Sequence, residues 1–136
     1  MNKLNYVLSG IGGYTVSLLG GADSQLEALL IIMCLDFVSG FLAACRGRSR
    51  KSGSGYLSSG AAGAGVLKKT AYLICVIVAV NVERSTGLSF IREIVIVSFV
   101  VTESVSVLEN CAGLGINIPR ALYDALDVLR RKNEDE

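Results

Sequence analysis

Residues 31–45 read IIMCLDFVSGFLAAC, a run of apolar or small side chains with one charged residue, Asp36. A carboxylate withdrawn from water is costly unless it is paired or hydrogen-bonded. Asp36 is therefore a catalytic acid, a satisfied core residue or a polar contact between membrane helices, and the choice decides the fold. The rest of the chain favours the third. Of its 136 residues 51% are apolar, and it has no His, no Trp and one Pro. A small water-soluble domain must cover a large surface with polar groups, so the chain reads as an all-α integral membrane protein, one membrane domain over residues 1–136.

Leu26, Leu29, Leu30, Ile31, Ile32, Leu35, Phe37, Val38, Phe41 and Leu42 surround Asp36. At about −0.3 to −0.6 kcal/mol each they outweigh the roughly +2.5 to +3.5 kcal/mol of one central Asp by a small margin. Residues 25–45 thus form a first span that inserts narrowly. VLKKTAYLICVIVAV (66–80) opens a second, over 66–82, with Lys68 and Lys69 placed to snorkel to headgroups from its first turns. IVIVSFVVTESVSVLEN (94–110) begins a third, over 94–112, which carries Glu103 and Glu109. Acids inside such spans call for partner helices. Residues 4–19, LNYVLSGIGGYTVSLL, rise only about 24 Å as a helix against a hydrocarbon core of about 30 Å. They are a short fourth span or an interfacial segment, with a signal peptide a third option.

Residues 46–65 form a basic, Gly/Ser-rich connector. Arg46, Arg48, Arg50 and Lys51, with Lys68 and Lys69 beyond, place it in the cytoplasm, near anionic headgroups. The loop at 83–93 balances two acids against two bases and suits the outer side. The third span then returns residues 117–136 to the cytoplasm as a short amphipathic helix and charged tail, with Leu122, Leu126 and Leu129 on one face. Gly60 and Gly65 have the GxxxxG spacing of a phosphate loop, but Val66 and Leu67 stand where Lys and Ser/Thr are needed. Cys34, Cys45, Cys75 and Cys111 lack CxxC spacing and have no His beside them, which leaves them as small hydrophobes. Neither a metal, a cofactor nor a nucleic-acid partner is expected, and no nucleophile has a base to activate it. An enzyme is rejected.

Two constellations remain. Asp36, Ser39, Gly40 and Ala44 lie on one face of the first span, where small side chains let helices approach closely. Glu103, Ser106 and Asn110 form one stripe of the third. Both sets are helix-contact or pore-lining groups; whether the contact lies within one chain or between copies stays open at this point.

Four segments, in order, resemble the small phage-lysis and toxin-secretion holins of Gram-positive bacteria and their phages. DFVSG (36–40) is similar to an Asp-aromatic-x-Thr/Ser-Gly signature, SSGAAGAGVLKK (58–69) to a Ser/Gly loop closing in Gly-x-x-Lys-Lys, and ERSTG (83–87) to an acidic-Arg-x-x-Gly step. ESVSVLENCAGLGINIP (103–119) resembles Glu-x-x-Ser-x-Leu-Glu-Asn followed by Gly-x-Pro-x-Pro. Glu83 and Asn117 depart from the Asp and the first Pro of that pattern. The resemblance implies a homo-oligomer in the bacterial cytoplasmic membrane whose lesions release a cell-wall hydrolase (endolysin) or a leaderless toxin. A small selective ion channel or transporter subunit is the alternative.

Overall fold

A computed structural model describes residues 3–56 and 58–134, with the side chains of 129, 130 and 132–134 outside the described set. Among the described residues the secondary structure is entirely helical: α1 (Lys3–Leu18), α2 (Ser24–Cys45), α3 (Ser59–Thr86), α4 (Ile91–Gly113) and α5 (Arg120–Glu134). The amphipathic face expected on the C-terminal helix can be followed at Leu122 and Leu126, whereas Leu129 and the tail past 134 fall outside the described residues.

Each long helix begins and ends where local chemistry dictates. Asp23 caps α2, its Oδ1 accepting from the Leu26 amide at 2.9 Å, and Ser58 caps α3 through the Ala61 amide. No side chain of its own N-cap serves α4; instead Glu83 Oε1, at the end of α3, accepts from the Arg92 amide at 2.9 Å. An orphan amide at a helix N-terminus favours such a carboxylate.

The connector expected over 46–65 is shorter than its composition implies. Ser59–Gly65 is the first part of α3, because Ser58 supplies a cap and Ala61, Ala62 and Ala64 sustain the helix. The glycines among them cost only about 1 kcal/mol each relative to Ala. With 28 residues, α3 rises about 42 Å, more than a bilayer core requires.

α4 lies between α2 and α3 and packs on both. The start of α2 meets the start of α4 through Asp23 and Arg92, and their far ends meet through Ser39 and Asn110, so these two helices run parallel. α3 runs against them, its Lys69 near Glu103 and its Glu83 near Arg92. Buried positions on α2 (Leu26, Leu29, Met33, Asp36, Ser39 and Ala43) follow the three- and four-residue steps of one helical stripe. On its other side Ile31, Leu35, Phe37, Val38, Phe41 and Leu42 point outward. Ile74 and Val78 do the same on α3.

The bundle interior is divided along its length. Leu19, Leu26, Leu29, Met33, Val76 and Ile96 form an apolar half near the α3–α4 turn. The opposite half is polar. α2 and α3 are long and apolar enough to cross a membrane. The third expected span, α4, has the length but carries Arg92, Glu93, Glu103 and Glu109. α1 has no buried residue and is tied to the bundle by Leu19, which enters the core, and by Arg84 donating to the Ser17 carbonyl at 3.1 Å.

Arg92 buckles the apolar end. Only 9% exposed, it donates to the carbonyls of Leu19 and Gly21 and forks onto both oxygens of Asp23, at 2.6 and 3.2 Å. Gly20, at φ +89°, is held to glycine twice over, because a Cβ there would lie 2.6 Å from Arg92 Nε. The Arg92 guanidinium keeps the Asp23 carboxyl below its ordinary value. A carboxyl whose folded value is depressed adds stability above about pH 4, and that contribution disappears as pH falls through the folded value. Arg92→Met is expected to lower stability by about 1.5–3 kcal/mol, the range for hydrogen bonds to charged groups. It should also flatten the wild-type loss of stability below pH 4, as read by thermal unfolding in detergent across pH 3–6.

Candidate functional site

The polar half is organised around Asp36, whose side chain is 5% exposed. Its Oδ1 accepts from Ser106 Oγ at 2.6 Å, Lys51 Nζ at 2.8 Å and Asn110 Nδ2 at 3.2 Å. Its Oδ2 accepts from Lys69 Nζ at 2.8 Å and from Lys51 at 2.9 Å. Asn110 also donates to Ser39 Oγ at 3.0 Å, and the Ser39 hydroxyl donates back to the Asp36 carbonyl at 3.2 Å. Three parts of the chain (the connector, α3 and α4) thus supply the shell of one carboxylate on α2.

Glu103 is the second centre, with a side chain that has no exposed surface. Oε2 is bonded to Lys69, which bridges it to Asp36. Oε1 makes an ion pair with Lys68 Nζ at 3.2 Å without an aligned hydrogen bond. The Lys68 ammonium also sits 5.3 Å from the centre of the Tyr72 ring, and Tyr72 stacks on Phe99 of α4 at 3.9 Å. A cation over an aromatic face is stabilised by the ring quadrupole. The two carboxylates are therefore met by three ammonium groups.

The expected site residues come together. Asp36, Ser39, Glu103, Ser106 and Asn110 form one network. Gly40 lies beside it, where a Cβ would make an ordinary 3.5 Å contact with Asn110 Nδ2. Ala44 is buried on the same side of α2. In this structure the small-residue face is occupied by α4 of the same chain.

The basic residues have a role that composition did not disclose. Lys51, Lys68 and Lys69, read from sequence as headgroup and topology residues, neutralise the buried acids. Arg46 and Arg48 donate to the carbonyls of Leu114 and Gly113 at 3.5 and 3.3 Å, where cations complement the C-terminal end of α4. Arg50 lies 3.5 Å from Glu109. One signal was available in the sequence. Two acids inside apolar spans require cations, and Lys68–Lys69 open the span that lies between them in sequence.

A cavity of about 80 Å³ lies between α2 and α3 beside Asp36, walled by Phe37, Gly40 and Phe41 on one side and Ala61, Ala62 and Gly65 on the other. Ser49, Lys51 and Tyr56 of the connector complete its lining and leave it partly open.

The family model of the bacteriophage holin family matches residues 13–131. The chain belongs to that family. Among its relatives, a protein of 14.9 kDa in the nagH 3′ region of Clostridium perfringens is 32% identical over 136 residues, covering 96% of this chain and 98% of its own length. A protein of Listeria monocytogenes is 30% identical over 138 residues, covering 98% of this chain and 91% of its own. A probable holin of Bacillus phage phi105 is 25% identical over 117 residues, covering 85% of this chain and 82% of its own. No solved structure matches the chain. Holin family membership and the apolar helices make this a membrane protein.

Removing one partner of a buried ion pair leaves the other charge stranded, which typically costs about 3–5 kcal/mol, whereas replacing both is far milder. Asp36→Leu removes one of the two carboxylates that hold Lys69 and the acceptor of the Ser106 hydroxyl, while Lys69 keeps Glu103 and Asn110 keeps Ser39. It should lower thermal stability in detergent, and because Lys69→Leu alone removes a cation from both Asp36 and Glu103, the loss in Asp36→Leu combined with Lys69→Leu should be smaller than the sum of the two single losses. Additive losses in that double-mutant cycle would mean the two side chains do not interact.

Proposed function

We propose that the chain acts as a holin by self-association: copies collect in the cytoplasmic membrane and repack into lesions through which a cell-wall hydrolase or a leaderless toxin leaves the cell. The observation that carries this reading is the position of the polar seam. Asp36, Ser39, Glu103 and Asn110 are buried and Ser106 partly so, while the opposite faces of α2 and α3 present aliphatic and aromatic side chains outward. Such a bundle rests in lipid with its polar groups hidden. A ring of repacked copies turns the same groups toward water and keeps the apolar faces in lipid.

In this reading α2, α3 and α4 each cross the bilayer, and α1 is a fourth span or lies in the interface. α4 crosses because Glu103, its mid-helix acid, is enclosed by protein, while Glu93 and Glu109 lie toward its two ends. The basic residues between α2 and α3 put that end in the cytoplasm, together with α5. Asp36, Ser39, Gly40, Ala44, Glu103, Ser106 and Asn110 are the contact groups of the resting bundle and the lining groups of the lesion.

Inducible expression with timed readings of membrane potential and viability tests this directly. The expected result is a delay followed by abrupt depolarisation and death, with release of a cytoplasmic fluorescent protein. Graded conductance that retains the fluorescent protein would replace the holin reading with a selective channel.

A further inference from the structure

The connector is a folded object, where its composition implies a flexible tether. Ser49 donates its amide to the Gly55 carbonyl at 2.8 Å, and the Ser52 hydroxyl donates to the Tyr56 carbonyl at 2.7 Å. Gly47, at φ +64°, lies so close beneath Tyr56 that a Cβ would stand 2.7 Å from the ring. The segment can therefore move as a unit. Its attachments differ sharply in burial. Arg46, Arg48 and Arg50 bind exposed partners at 3.3–3.5 Å, contacts of the kind that contribute little in water. Lys51 alone reaches the buried network, passing beside the cavity to Asp36.

We propose that residues Arg46–Tyr56 are a lid, and that Lys51 latches it over the cleft between α2 and α3, shutting water away from Asp36. The charges make this latch releasable. With Lys51 seated, three ammonium groups face two carboxylates. With it withdrawn, Lys68 and Lys69 still balance Asp36 and Glu103, and Asp36 keeps Lys69, Ser106 and Asn110. Lys69 cannot leave in the same way, since it bridges both acids and its side chain is 14% exposed, against 43% for Lys51. Lid release thus opens the cleft toward the network without stranding a charge in it. The proposal rests on the holin reading for its purpose, but its geometry stands apart from hole formation.

The test is thiol accessibility. In full-length protein with Cys34, Cys45, Cys75 and Cys111 replaced by Ala, the buried cavity residue Ala44 is changed to Cys and exposed to a membrane-impermeant maleimide in vesicles of both orientations. Lys51→Met should raise its labelling rate about tenfold, as expected when local opening loses a partly buried ion pair, and Lys51→Arg should stay near the wild-type rate. Arg48→Met with Arg50→Met, which leaves the buried network intact, should give a smaller increase and serves if Lys51→Met fails to accumulate. Unchanged labelling in these variants overturns the lid. Dye leakage from the same vesicles separates the two ideas: faster labelling with no leakage at any protein density keeps the lid and removes the hole, whereas leakage with unchanged labelling does the reverse.

Discussion

A carboxylate held away from water must find a cation, and the arrangement of this chain follows from doing so twice. Asp36 sits twelve residues into α2 and Glu103 twelve residues into α4, too far from the helix ends for either side chain to reach a surface. Because α2 and α4 run parallel, the two acids lie at similar depths. One lysine can then serve both, and Lys69 does, provided that α3 runs between the same two ends in the opposite sense. Ser106 and Asn110 fill the remaining acceptor positions of Asp36, which is what makes a buried ion pair tolerable. The central place of α4 has the same origin: it brings Glu103 to Lys68 and Lys69 and offers Ser106 and Asn110 to Asp36.

That placement accounts for the uneven apolarity of the helices. α2 and α3 each keep one face outward and need an unbroken apolar surface there. α4 is covered on both flanks, so most of its side chains are at least half-buried, and it can carry a Ser, Glu and Asn pattern that would be costly facing lipid. The apolar half of the bundle then has its own closure at the far end, where Arg92 ties the α1–α2 turn to the start of α4. Packing between helices in lipid draws little on the hydrophobic effect, so these two polar fastenings set helix register more firmly than the leucines and valines between them.

Much of this was legible in the sequence. The stripe that contains Asp36, Ser39 and Gly40 and the stripe of Glu103, Ser106 and Asn110 are consequences of helical spacing, and they meet as two faces of one contact. Lys69 escaped that reading because pairing across 33 residues depends on which helix neighbours which, and periodicity within a helix says nothing about that. The helical start of α3 at Ser59 was hidden for a different reason. Glycine and serine score as loop formers, whereas Ser58 acts here as a cap and the alanines after it outweigh the glycines. The folded connector was illegible for a third reason, since the close approach of Gly47 to Tyr56 is tertiary.

The structure also bears on how the proposed self-association would proceed. Acids that barely insert are expected to draw identical chains together, yet here their partners lie in the same chain. A bundle satisfied in this way gains nothing from a neighbour through its polar seam until the seam opens, and opening it piecemeal strands charges at about 3–5 kcal/mol for each broken pair. Self-association that exposes the seam must therefore exchange internal partners for partners on other copies, or for water, in a concerted step. Such a step is slow for scattered copies and eases once many lie side by side. On the proposed holin function, the internal network is then the source of the delay: it keeps each copy harmless while the number of copies in the membrane grows.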